Sequence, residues 1–93
     1  MASIVQENQY TYLAAQATTQ VATGRGILHS IVVGETAAGA ISIIDNTSGS
    51  TANIGTLKAS IVEGTYLFDV VFSKGLRIDL AAASKITVCW SQG

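Results

Sequence analysis

Apolar and polar residues alternate with a period of two along most of the chain, between clusters of turn residues. That pattern marks strands with one side in a core, because successive side chains of a strand point to opposite faces. Ile27 to Val33 is a β-branched run entered from Thr23-Gly24-Arg25-Gly26, whose glycines suit a tight turn. Ala40 to Asp45 follows, with Ile41 and Ile43 on one face, and Asn46 to Thr51 is a polar loop. A weaker strand covers roughly Ala52 to Lys58. Thr65 to Phe72 places Tyr66, Phe68, Val70 and Phe72 on one side and Asp69 on the other. After Ser73-Lys74-Gly75, Leu76, Ile78 and Leu80 alternate with Arg77 and Asp79. The last segment alternates Ile86, Val88 and Trp90 with Lys85, Thr87 and Cys89.

The stretch from Tyr10 to Ala22 carries two signals. Leu13-Ala14-Ala15-Gln16-Ala17 has helix propensity, whereas Thr18, Thr19 and Val21 favour a strand. The strand reading is preferred, with Thr23 to Gly26 closing a hairpin into Ile27. Residues 1–9 read as a polar N-terminal arm, and residues 10–93 as a single β domain. Six or seven short strands with no intervening helical period predict an all-β fold. The expected form is an antiparallel β-sandwich or small barrel, jelly-roll-like. Proline is absent, so edge strands need charge, bulges or a neighbouring subunit for protection.

Composition sharpens this picture. Of the 93 residues 48% are hydrophobic and only 12% charged, about half the charged fraction usual in globular domains. A domain this small has little interior, so the apolar excess predicts burial against other subunits. Five basic and six acidic residues give a net charge of −1. The scattered Arg25, Lys58, Lys74, Arg77 and Lys85 form no stripe for a phosphate backbone, so no nucleic-acid partner is expected. The apolar runs are too short and interrupted for a membrane span, and Met1 to Asn8 lacks the pattern of a signal peptide.

Candidate chemistry is sparse. Cys89 is the sole cysteine and reads as a small, partly buried strand residue. His29 is the sole histidine and shares the parity of Ile27, Ile31 and Val33, which predicts a packed or interface side chain. Asp69, flanked by Phe68 and Val70, is expected to face solvent or a subunit boundary. The other acids are spaced as outward faces and turn caps, and no glycine pattern matches a phosphate loop. One histidine, one cysteine and unclustered acids argue against an enzyme, a cofactor, a metal or a small-molecule ligand. The residues expected at an interface are Ile4, Val5, Tyr10, Tyr12, Leu13, His29 and Asp69, the tyrosines because that residue is enriched at such surfaces.

The segments from Gly26 to Val33, Ala40 to Thr47, Gly64 to Leu76 and Ile86 to Val88 also resemble a known group. These are short proteins encoded in the structural gene clusters of tailed bacteriophages, of the head decoration or cement type. The resemblance covers about residues 24–90 and leaves out the arm. It implies a β-sandwich or barrel that forms dimers or trimers on the outer capsid surface. Its partners would be copies of itself and the major capsid protein, after synthesis in the host cytoplasm. No catalytic residues carry over. The competing expectation is a receptor- or glycan-binding module of a phage tail fibre or spike, against which the small, bland loops at Glu35 to Ala38 and Thr47 to Ser50 count.

Overall fold

The computed structural model describes residues 9–92. They form β1 (Gln9–Leu13), β2 (Thr18–Thr23), β3 (Gly26–Glu35), β4 (Ile41–Asp45), β5 (Gly55–Leu57), β6 (Gly64–Phe72), β7 (Gly75–Leu80) and β8 (Lys85–Gln92). No helix occurs among the described residues. The strands make two antiparallel sheets, ordered β1-β8-β3-β6 and β2-β7-β4-β5. Only β4 and β5 are adjacent both along the chain and within a sheet. This interleaving is the strand order of a jelly roll, the all-β sandwich anticipated from the periodicity.

Three expectations for this end of the chain need correction. The Tyr10–Ala22 stretch holds two strands, which brings the total to eight. Leu13 pairs with Ile86 in the first sheet and Thr18 with Asp79 in the second, so the chain changes sheets at Ala14 to Ala17. The Ala17 carbonyl accepts from Leu80 N–H at 3.0 Å as it crosses. Gln9, assigned to the arm, stands in β1 opposite Trp90, while residues 1–8 of that arm lie outside the described residues. The turn at Thr23 to Gly26 is also no hairpin. β2 pairs with β7 and β3 with β6 and β8, so the turn carries the chain from one sheet to the other. Gly24 turns it at φ 83°, a conformation that suits glycine.

The inner faces hold the residues that alternation selects. Leu76, Ile78 and Leu80 of β7 and Ile86, Val88 and Trp90 of β8 join Leu28, Ile31, Val33, Ile41, Ile43 and Phe72 in one buried cluster. Tyr66, Phe68 and Val70 pack against it. Trp90 is at its margin and donates from Nε1 to Thr11 Oγ1 at 3.2 Å, which satisfies the indole as burial requires.

β3 departs from simple alternation. Its pairing shifts by one residue between Leu28 and Ser30 against both β6 and β8. Leu28 therefore enters the core together with Ile31 and Val33, while Ile27 and His29 are only partly buried. The shared parity expected for Ile27, His29, Ile31 and Val33 is broken at His29 by the bulge.

Asp45 closes β4 onto the β6–β7 turn. Its carboxylate accepts from Ser73 N–H at 3.0 Å, Ser73 Oγ at 3.2 Å, Lys74 N–H at 2.8 Å and Gly75 N–H at 3.2 Å. Slight burial pushes its pKa up, but these donors outweigh that and hold it below the ordinary 3.8. The folded-state pKa is thus the lower one. The resulting stability is present above the unfolded value and is lost as pH falls through the folded one.

Asp45→Asn should cost about 1–2 kcal/mol at pH 7, with exposure reducing the worth of each charged hydrogen bond. It should also flatten the stability profile below about pH 4, as read by urea midpoints across pH. Gly26→Ala should cost about 2–3 kcal/mol by overpacking. A Cβ there would stand 2.4 Å from Phe72 Cζ and 2.6 Å from the Ser91 carbonyl, so the chemical-denaturation midpoint should drop.

Candidate functional site

The two outward faces of the sandwich differ in character. On the second sheet, Gln20 and Ile44 stand beside Arg77, and Thr18 and Ser42 beside Asp79. Hydrogen bonds knit this side together. Arg77 donates to the Gly49 carbonyl at 2.7 Å and to Gln20 Oε1 at 2.9 Å, and Thr18 Oγ1 to Asp79 Oδ1 at 3.0 Å. Ile44, turned away from the sandwich core, is only 1% exposed, and the Arg77–Gly49 bond ties the 46–54 segment down on its side. That face is polar and already occupied.

The outward face of the first sheet is open and apolar. The register aligns Tyr10 with Cys89, Tyr12 with Thr87, Val32 with Thr65, Ser30 with Leu67 and Ile27 with Val71. Tyr10 and Leu67 are each 77% exposed, with Tyr12 and Val71 more than half exposed. The apolar positions therefore lie on β1 at one edge and on β3 and β6 towards the other, with Thr87, Cys89 and Ser91 of β8 between them. At one end of the face Lys85 and Glu35 form an ion pair at 3.1 Å. The hydrogen bond and charge of Glu35, with Tyr12 nearby, hold the Lys85 ammonium above its ordinary range.

One polar cluster interrupts this face, and the bulge in β3 creates it. Opposite His29, β6 carries an extra residue between Leu67 and Val70, and Asp69 adopts φ 51°. Asp is among the few residues that reach this left-handed region at modest cost. Bulges re-aim side chains, and here the result is a chain of three groups. Asp69 Oδ1 lies 3.5 Å from His29 Nδ1, and Ser91 Oγ lies 3.1 Å from His29 Nε2. The order of atoms is that of a serine–histidine–carboxylate relay. The exposures run the wrong way for attack on a substrate. Ser91 is 1% exposed, His29 about a third and Asp69 72%. A buried hydroxyl beneath a half-covered imidazole orients the ring, while the carboxylate stays in water.

The expected interface residues separate accordingly. Tyr10, Tyr12 and Asp69 lie exposed on the open face, and the bulge brings the partly buried His29 beside Asp69. Leu13 is partly buried and packs against the core, opposite Ile86 in the register. Ile4 and Val5 lie outside the described residues. Sequence reasoning passed over Leu67, Val71 and Ser91. Alternation does place Leu67 and Val71 opposite Phe68 and Phe72, so their outward apolar character was the available signal. Ser91 carried none. Cys89 is partly exposed in β8, as its place in the alternation suggested. No group of three or more metal-ligating side chains occurs among the described residues. The chain matches no family model and no curated protein.

Ser91→Ala should lower stability by about 1 kcal/mol by removing the hydroxyl that fixes the imidazole. In a double-mutant cycle with His29→Ala, thermal unfolding should show a coupling of about 0.5–1 kcal/mol.

Proposed function

We propose that this protein is a non-catalytic structural component of a virion, of the head decoration type. It assembles with copies of itself and braces neighbouring capsid subunits. The outward face of the β1-β8-β3-β6 sheet is its self-association surface. The observation that carries this reading is the contrast between the two faces: one polar and tied down, the other apolar and bare.

Size supports the assignment. Four strands about 4.8 Å apart, of 5, 8, 10 and 9 residues at about 3.3 Å per residue, present roughly 500 Å² in projection. Side-chain relief brings the accessible area toward the about 800 Å² that each partner of a standard interface commits. Charge favours a second copy as the occupant. The face carries one ion pair and one His–Asp pair, so two copies meet without a field of like charges. A two-fold arrangement satisfies such a self-complementary patch. The strand order agrees with the role at the level of analogy, since jelly rolls recur in viral capsid proteins. Lectins share that architecture, and Tyr10 and Tyr12 are the residues that would stack on a sugar in the competing glycan-binding reading. Binding on a glycan array, lost in Tyr10→Ser, would favour that alternative.

Sedimentation of the full-length protein tests the proposal. The wild type should sediment as a defined oligomer at micromolar concentration. Leu67→Lys, at an exposed site, should leave stability within about 0.5 kcal/mol and weaken association at least tenfold. Thr56→Lys, on the other sheet, should change neither. A wild type that stays monomeric, or equal effects of the two substitutions, removes the face from the mechanism.

A further inference from the structure

We infer that self-association through this face is controlled by pH, with His29 as the titrating group and Asp69 as its counter-charge. The inference rests on the docking reading above and assigns the regulation of that same surface.

With a neutral imidazole, Asp69 is, among the described residues of this face, the charge left without an ionic partner, the Lys85–Glu35 pair being matched internally. Covering it with a second copy strips water from a carboxylate that has no cation to replace it, a costly transfer. Protonation of His29 changes the sign of that balance. Nδ1 then carries a proton 3.5 Å from Asp69 Oδ1, and the pair presents no net charge to the incoming surface. Ser91 Oγ, at 3.1 Å, can accept from Nε2 of the imidazolium, so both ring nitrogens keep a partner after protonation. Covering the face then strengthens the attraction between the two charges, because the surrounding dielectric falls. Association therefore takes up a proton, and by linkage acid strengthens association.

The other titratable groups around the ring do not supply this behaviour. From β8, Cys89 and Ser91 face it; from β6, Asp69; β1 brings Tyr10 and Tyr12 across β8. The Lys85–Glu35 pair sits at the end of the face and is already satisfied. Of these residue types, histidine is the one whose charge ordinarily changes between about pH 5 and 8. The bulge matters here. It places the sole histidine on the docking face beside an acid, where regular alternation would have sent it elsewhere.

The experiment is sedimentation equilibrium of the full-length chain at pH 5.5 and 7.5, with His29→Gln and Asp69→Asn alongside. Gln retains an amide for Ser91, and Asn tolerates the left-handed backbone at this position, so both variants should fold. Wild-type association should be about tenfold stronger at pH 5.5, within the usual span of coupling between linked equilibria. His29→Gln should lose that ratio to under about threefold while still sharing the general fall in net charge toward the isoelectric point. Asp69→Asn should reverse the direction and weaken association in acid, because the imidazolium then lacks its counter-charge. A His29→Gln profile equal to wild type, or association weakened by acid in the wild type, overturns the inference and leaves the docking surface standing. A wild type monomeric at both pH values overturns both.

Discussion

Burial of two apolar sheet faces against each other is the constraint from which the rest of the structure follows. Leu28, Ile31, Val33, Ile86 and Val88 of one sheet meet Ile41, Ile43, Leu76, Ile78 and Leu80 of the other. Almost every strand finds its partner far along the chain, so neither sheet exists until the sandwich closes. The turns at Thr23–Gly26 and Ser73–Gly75 serve that closure by moving the chain between layers. Asp45 anchors the second turn from a strand some 30 residues away.

The same core explains the bulge in β3. Leu28 and Ile31 both belong inside, and two residues stand between them, an arrangement that strict alternation forbids. The strand resolves the conflict by shifting register at His29, and β6 answers with an extra residue and a left-handed backbone at Asp69. A packing requirement on the inner side thus generates the His29–Asp69–Ser91 cluster on the outer side. The chemistry of that cluster is set by exposure. With the serine deepest and the carboxylate outermost, the cluster holds the imidazole in place over a covered hydroxyl.

The proposed function rests on the contrast between the two outward faces. The second sheet spends its outer side on internal hydrogen bonds and a folded-down segment, whereas the first sheet presents tyrosines, leucine and valine to water. A small domain gains by covering such a surface with another copy, and a structural role in a larger assembly uses many such contacts at once. In the proposed assembly, the His29–Asp69 pair would tie the strength of those contacts to the acidity of the medium.

Much of this was legible in the order of residues. Alternation in Leu76–Leu80 and Ile86–Trp90 identified strands and their inner sides, because a two-residue period has one geometric solution when one face is buried. The shared parity of Tyr10 and Tyr12 and the place of Asp69 between Phe68 and Val70 suggested exposed side chains, and all three are exposed. Strand pairing was not legible. Local turn chemistry at Gly24 cannot distinguish a hairpin from a crossing between sheets, since both need the same backbone reversal. The break at Ala14 to Ala17 was hidden for a similar reason, as small residues fit either a strand or its interruption. The meeting of His29 with Asp69 and Ser91 belongs to tertiary structure alone. Residues 40 and 62 positions apart come together only where three strands align, and the bulge that aims them arises from the packing of a core that no single segment encodes.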